Sequence, residues 1–519
     1  MSKAKWLFMF LLALCMAVPT FAVELSLGGF PSYMRTRARY IGHATFISAL
    51  SNQNAIDLGF NNNDDNIFFA DTTLRLTPQL VLSDAVTIRA QLNVFDNNIW
   101  GGSTTELLGG RNTVVNSSLS FSDRFRGAIL TGPNAIDDPG FFDVRMLHAD
   151  IVLPHNIGFV RIGRQPFDWG LGILANGGWD PYSDLGFVLD RFLYLKSFAA
   201  GSSSITFVLV SDIFTAGNSV VTGNGNGYDI AAAALIFNSP NVAGGNLTIG
   251  GYVFPYIHQE SFNSFPTSGT DPGVPPNAGA ATSGVNLEHL VLYSGLIDYK
   301  TDLWRLVGEM QGAWGNIEVE GVGDIDIDAS NIIFAARAEV YPGWPMKIIA
   351  AEFGWSKGDD LSTGSLEGGV IFFNPAYNID NLLFKHMIPN IYQVESSVFN
   401  AYYARVWGTV KLIDELSFTP QVVVAFNEET DNPYPGVESL DTYLGTEVEG
   451  TFTWHMYPGV NLDIIGGIVF PGSSLDALLE AQAANTLAAN EVESDGVRFD
   501  ETPFTVQGRL MIFIDQFFK

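Results

Sequence analysis

Hydrophobic and polar positions alternate along this chain with period two, in pieces of roughly ten residues. In 67–81, Ala70, Thr72, Leu74 and Leu76 share one parity, while Asp71, Thr73, Arg75 and Thr77 share the other. In 85–96, Val86, Ile88, Ala90, Leu92 and Val94 alternate with Thr87, Arg89, Gln91 and Asn93. A helix would scatter these residues around its circumference; a strand puts each set on its own face. The pattern predicts eighteen strands, at 35–47, 67–81, 85–96, 142–153, 158–167, 188–198, 203–214, 228–238, 246–257, 287–300, 303–316, 331–341, 346–356, 397–411, 416–427, 442–456, 460–470 and 504–518. Alternation is weakest in the sixth, around Asp190-Arg191, and in the fifth, where Arg161 and Arg164 fall on opposite parities.

The gaps between these strands alternate in length. Long ones span 48–66, 97–141, 168–187, 215–227, 258–286, 317–330, 357–396, 428–441 and 471–503. Between them fall tight connections such as Leu82-Ser83-Asp84, Thr301-Asp302, Pro342-Gly343-Trp344-Pro345 and Pro458-Gly459, each with turn chemistry or a charge. Nine long gaps interleaved with eight tight ones is the pattern of a transmembrane, antiparallel, up-and-down β-barrel with long extracellular loops and short periplasmic turns. A soluble β-sandwich gives no reason for the segregation. The fold expected is all-β, about eighteen strands, with both termini periplasmic.

Composition sharpens this. The chain is 47% hydrophobic and holds 53 glycines, yet past its first residues no apolar run is long enough to span a bilayer as a helix. The start of the chain reads as an export signal. Lys3 and Lys5 precede an apolar stretch from Trp6 to Val18, and Pro19-Thr20-Phe21-Ala22 offers a small-residue cleavage site. The expected organisation is a cleaved signal peptide at 1–22, a short periplasmic segment at 23–34 and the barrel at 35–519. Only about twelve residues then precede the first strand, too few for an N-terminal plug. The single cysteine, Cys15, falls inside the signal, which leaves the mature chain without disulfides, thiol chemistry or haem attachment. The last strand places Leu510, Ile512, Ile514 and Phe518 on one parity, interrupted by Gln516. It resembles the aromatic-terminated closing strand that the outer-membrane barrel-assembly machinery recognises, with Lys519 added. Trp454 and Tyr457, Tyr341 and Trp344, and Tyr299 and Trp304 flank tight turns, as an interfacial aromatic girdle would.

Charge enters next. The formal net charge is −29, and loss of Lys3 and Lys5 makes it −31, which disfavours nucleic acid as a partner. Much of the acid sits in loops, such as Asp359-Asp360 and Glu491 to Asp500, where it would meet divalent cations at a lipopolysaccharide-rich surface. Of seventeen arginines, thirteen fall in the predicted strands. An arginine on the lipid face costs about 2–4 kcal/mol near the bilayer midplane, so most must face the lumen. The pore-lining set read from this argument is Arg35, Arg37, Arg39, Arg75, Arg89, Arg161, Arg164, Arg305, Glu309, Arg337, Glu339 and Arg405. Asp150, Glu352, Glu447 and Glu449 would meet the arginines inside, forming either a wall-stiffening salt-bridge network or a basic path for anions. The two are compatible.

The segment Arg161-Ile162-Gly163-Arg164-Gln165-Pro166-Phe167-Asp168-Trp169-Gly170-Leu171-Gly172 resembles the R-x-G-R-Q…G stretch of alginate-export-like and related porin-like outer-membrane barrels. That resemblance implies an eighteen-stranded barrel with an electropositive lumen and nominates Arg161 and Arg164 for a basic conduit. It does not imply alginate as the solute. The loop that follows, with Trp169 and Trp179, is either packed outside or folded inward.

Other motifs carry less. The seven histidines are dispersed, with no spacing for a metal or catalytic site, so no cofactor and no enzymatic activity is expected. Gly223-Asn224-Gly225-Asn226-Gly227 lacks the following helix of a phosphate loop and reads as a loop tip. Asn61 to Asn66, with Asp64 and Asp65, lacks the spacing of a calcium loop. Leu475 to Asn490 is rich in Ala and Leu and predicts a short helix that caps or enters the pore. Two function classes remain: a channel for polar or anionic solutes or oligosaccharides, and a structural or partner-binding barrel, such as the sheath of a cytochrome electron conduit or an adhesion protein.

Overall fold

The structure, a computed structural model, describes residues 24–27, 30–43, 66–99, 143–183, 186, 188–213, 229–262, 285–319, 323–363, 365–369, 371–374, 376–388, 398–434, 437–487 and 502–517. Eighteen antiparallel strands form one closed transmembrane barrel. They are β1 (Tyr33–Gly42), β2 (Ile67–Leu76, continued past Thr77 by Pro78–Ser83), β3 (Val86–Ile99), β4 (Asp143–Val152), β5 (Phe159–Pro166), β6 (Val188–Ala200), β7 (Ser203–Ile213), β8 (Asp229–Val242), β9 (Gly245–Phe262), β10 (Val285–Lys300), β11 (Trp304–Val319), β12 (Gly323–Val340), β13 (Met346–Ser356), β14 (Ala401–Ile413), β15 (Leu416–Asn427), β16 (Tyr443–Tyr457), β17 (Val460–Pro471) and β18 (Phe504–Phe513). β1 seals the cylinder, with Tyr33 opposite Arg75 of β2 on one side and Phe513 of β18 on the other. Each of the eighteen strands is thereby paired on both sides.

Alternation decides which face is which. On β1, Arg35, Arg37 and Arg39 are buried inside while Met34 of the other parity is 38% exposed. Around the outside, Leu235, Ile249, Ile297, Leu306, Phe353, Val406, Phe452, Ile464 and Val506 are all exposed. Such an apolar exterior is stable against lipid and would be unfavourable against water. Trp304, Trp344, Trp454 and Tyr457 are exposed beside the tight turns, and the Tyr299 and Trp304 rings lie 5.0 Å apart. Both the start of β1 and the end of β18 lie at this tight-turn end.

Four details differ from the sequence reading. Within the segment expected at 23–34, Glu24–Leu27 forms a short strand that pairs with Pro78–Val81. The step between it and β1 is pinned where the Thr77 N–H donates to Ser32 Oγ at 2.9 Å and Thr77 Oγ1 to the Phe30 carbonyl at 2.6 Å. β1 ends at Gly42, next to His43, whose φ is +55°, and 44–47 of the expected strand lie outside the described residues. β18 stops at Phe513, where two successive polar residues, Asp515 and Gln516, lie ahead; Ile514–Phe517 makes a 3-10 turn and Ile514 donates to the Ser32 carbonyl at 2.7 Å. The expected long gap at 317–330 is mostly strand, because Asp324-Ile325-Asp326-Ile327-Asp328 continues the alternation of β12 and only 320–322 separates it from β11. Ile325 and Ile327 are buried there, and Ser365–Leu366 pairs in parallel with Asp326–Ile327.

The expected helix is present as α1 (Ser473–Leu487), packed against β16. Leu475, Leu478 and Leu479 are fully buried in one cluster with Leu444 and Val469. The segment 1–22, the glycine repeat at 223–227, residues 61–65, the acidic run 491–500 and the last two residues lie outside the described residues.

Candidate functional site

Two loops turn into the barrel and meet inside it. The first follows β5. Phe167 and Trp169 lie against Tyr252 and Phe254 on the inner face of β9, with the Trp169 and Tyr252 rings 5.0 Å apart and edge-on. Gly170 and Gly172, at φ +57° and +84°, then swing the backbone so that Leu171 N and Gly172 N both donate to Glu309 Oε2, at 2.5 and 3.0 Å. A side chain at 170 would meet that carboxylate, so the turn needs glycine. Asp168 ties the loop to itself, accepting from Gly177 N at 2.6 Å and from the Trp179 indole. Burial pushes the Asp168 carboxyl above its usual range, and those two bonds oppose the shift. The loop then crosses to the far wall, where its carbonyls are held by arginines. Arg35 Nη1 donates to Pro181 O at 3.0 Å and Ser183 O at 2.9 Å, Arg75 reaches Gly178 O at 3.3 Å, and Arg145 reaches Gly177 O.

The second inward segment, 371–388, belongs to the connection between β13 and β14. Asn374 N donates to Ile173 O at 2.6 Å and Asn374 Nδ2 to Leu174 O at 2.7 Å, which joins the two loops. Arg405 reaches Asn378 O and Ile379 O at 3.4 and 3.3 Å, and Gln421 Nε2 donates to Ile379 O at 2.6 Å. The tip is held by acid. Asn381 N donates to Glu449 Oε1 at 2.8 Å and Leu383 N to Glu447 Oε2 at 2.7 Å, both from β16.

One rule covers both loops. Wall arginines grip loop carbonyls and wall glutamates grip loop N–H groups. Hydrogen bonds to a charged partner contribute about 1.5–3 kcal/mol each, so a handful suffices to hold an otherwise irregular chain in the lumen.

The sequence-selected residues divide accordingly. Arg35, Arg37, Arg39 and Arg75 face inward but are covered, at 1%, 4%, 2% and 5% exposure. Arg37 donates twice to Asp71 Oδ1, at 3.0 and 2.8 Å, and Arg39 lies 3.4 Å from the other oxygen. Arg89 and Arg161 keep about a quarter of their side chains exposed and share a single partner, Asp150, at 3.0 and 2.6 Å. On the opposite wall Arg305 pairs with Asp298 at 2.7 Å, and Arg337 with Glu352 at 2.6 Å and Glu339 at 3.6 Å. Arg405 completes that network through Glu352 at 3.0 Å, with Tyr403 OH donating to the same carboxylate at 2.6 Å. Glu309 is a loop anchor, fully buried.

Arg164 is a correction. It stands opposite Leu147, which is 51% exposed, and shares the outward parity of Ile162. It pairs there with Asp190 at 2.7 Å on the outer wall, two residues from the top of both strands, and does not line the lumen. The conflict of parity with Arg161 was the available signal. Sequence reasoning missed the lumen aspartates Asp212 and Asp463, which meet Arg191 at 2.5 Å and Arg509 at 2.9 Å. It also missed Asn374 and Asp380, whose roles depend on loop placement that period two does not encode.

No protein-family model and no curated protein matches the sequence, so the alginate-export-like resemblance gains no support. Among solved structures the chain is similar to OccK9 (OpdG) of Pseudomonas aeruginosa, at 10% identity, covering 94% of this chain and 97% of that one, TM-score 0.46. It is also similar to OccAB2 of Acinetobacter baumannii, at 11% identity over 95% and 97%, TM-score 0.43. OmpT, an outer membrane protein of Vibrio cholerae, matches at 9% identity over 95% and 99%, TM-score 0.32.

Proposed function

We propose that this chain is an outer-membrane channel for passive passage of small polar solutes, with a preference for anions, and that its two inward loops set the size limit. One observation carries the reading: the lumen charges are segregated. Among described side chains on the inner faces of β1–β5, Arg35, Arg37, Arg39, Arg75, Arg89, Arg145 and Arg161 outnumber the acids Asp71 and Asp150. On β11–β16, Glu309, Glu339, Glu352, Glu447 and Glu449 outnumber Arg305, Arg337 and Arg405. A lumen with low-dielectric walls focuses such a field across the path. Arginine-rich linings favour anions, and Arg89 with Arg161 is the solvent-touching part of the basic wall, with two guanidinium groups to one carboxylate.

The tight-turn end, with its exposed tryptophans, is assigned to the periplasm, and the apolar exterior to the bilayer and its lipopolysaccharide leaflet. A sheath around a threaded protein partner is disfavoured, since the joined loops occupy the room such a partner would need. An oligosaccharide conduit is disfavoured on the same ground.

The test is planar-bilayer recording of the purified barrel under a salt gradient. An anion-preferring current is expected, and the double change Arg89→Ala with Arg161→Ala should shift the reversal potential towards neutrality. Cation preference in the unaltered protein, or a preference indifferent to both changes, would sink the proposal.

A further inference from the structure

The tip of the second inward loop is held in an unusual way. Five consecutive backbone N–H groups, 381 to 385, all donate to carboxylates. Asn381 N reaches Glu447 Oε1 at 3.2 Å and Glu449 Oε1 at 2.8 Å, and its side-chain amide reaches Glu449 Oε2 at 2.5 Å. Leu382 N and Leu383 N donate to Glu447 Oε2 at 3.3 and 2.7 Å. Phe384 N and Lys385 N turn back onto Asp380, at 2.9 and 3.0 Å. Asp380 is 5% exposed and Glu447 fully buried. Three carboxyl groups therefore converge between the loop and β16, two of them buried and Glu449 partly exposed.

Among the described residues, few cations face them. Lys385 belongs to the same turn, which also carries the buried His386. From β14 comes Arg405, already bound to Glu352 at 3.0 Å. From β15 the facing group is the uncharged Gln421. Like charges at such separations do not all ionise together; one is kept protonated.

We propose that the segment 380–388 is a pH-operated latch, docked on β16 through carboxyl groups that share protons and released as the medium becomes less acidic. Burial, with Glu449 adding repulsion, pushes the Asp380 carboxyl up to about 7. In a released, hydrated loop it would return to about 3.9, the ordinary value. A group raised in the docked state stabilises docking fully below its released value and loses that contribution as pH climbs through its docked value. The latch is therefore firm below about pH 4 and weakened by about pH 7. As a regulator of passage, it rests on the reading of the lumen as a solute path.

Hydrogen exchange of the five amides in the full refolded chain reads docking without requiring current. After correction for intrinsic exchange, protection should fall at least about tenfold between roughly pH 5 and 8. Asp380→Asn should flatten that dependence, and Glu449→Gln serves if the first variant does not fold. Protection constant with pH, or an unchanged dependence in both variants, overturns the latch. Single-channel recording over the same range separates the two ideas. Opening in step with lost protection supports both, whereas pH-dependent protection in a barrel that never conducts keeps the latch and removes the channel.

Discussion

The backbone N–H of Asn374 donates to the carbonyl of Ile173 at 2.6 Å, so the two segments that enter the lumen from opposite sides are joined main chain to main chain. The Asn374 side chain doubles the link, donating to Leu174 O at 2.7 Å and accepting from Ala376 N at 2.8 Å. Asn374→Ala removes two side-chain bonds of about 0.5–1.5 kcal/mol each. Single-channel traces should then show higher mean conductance and more open-channel noise. Identical traces would mean that this junction does not control the aperture.

The network at Glu352 is a second point of leverage. Its carboxylate accepts from Arg337 at 2.6 Å, Arg405 at 3.0 Å and Tyr403 at 2.6 Å. Glu352→Ala removes the buried carboxylate that Arg337 and Arg405 share, leaving Arg337 with Glu339 at 3.6 Å and Arg405 with its loop carbonyls, a loss of about 3–5 kcal/mol. The barrel should unfold at lower urea in lipid vesicles. Arg305 with Asp298, each about a quarter exposed, offers a contrast. Asp298→Ala should cost no more than about 1 kcal/mol in the same assay.

A second titration is expected in the loop that follows β13. Asp359 accepts from Glu367 N at 2.7 Å and Gly368 N at 3.2 Å, and burial pushes its carboxyl up to about 6. The turn it closes is thus fully supported below about pH 4, and that support is lost as pH rises through about 6. Exchange of the 367 and 368 amides should accelerate across that window beyond the intrinsic rate. With Asp359→Asn the excess should vanish.

Gly354 lies on β13 against the fully buried Tyr403 ring, and a Cβ there would collide with it. That ring also packs on Phe373 and Phe384 of the second loop. Gly354→Ala should destabilise the barrel by about 1–3 kcal/mol and loosen the loop. Unchanged exchange protection of the loop in Gly354→Ala would contradict this, since both the ring and the hydroxyl of Tyr403 lie where the new Cβ would sit.

The barrel was legible because a lipid-facing wall imposes period two on every strand, and because tight turns and long loops separate by side. Val86 to Val94 reads as a strand without any tertiary knowledge. The inward loops were not legible. Trp169 and Asn374 sit in stretches without periodicity, and their positions follow from contacts with Tyr252 and Leu174, far away along the chain. The arginines were half-legible: parity put Arg35 and Arg75 inside, yet gave no hint that loop carbonyls would cover them. Where parity conflicted, at Arg161 and Arg164, one of the two faces out.

The loop grips have a consequence for substitution. Arg35, Arg75, Arg145 and Arg405 hold carbonyl oxygens, and Glu309, Glu447 and Glu449 hold amide hydrogens. These atoms belong to every residue type except for proline's missing hydrogen. Substitution of the exposed side chains of both loops therefore leaves these bonds in place, whereas the buried Phe373, Leu383 and Phe384 are tied to the wall by their own packing. The frame fixes the path of the loop backbone and leaves the exposed side chains along it free to differ.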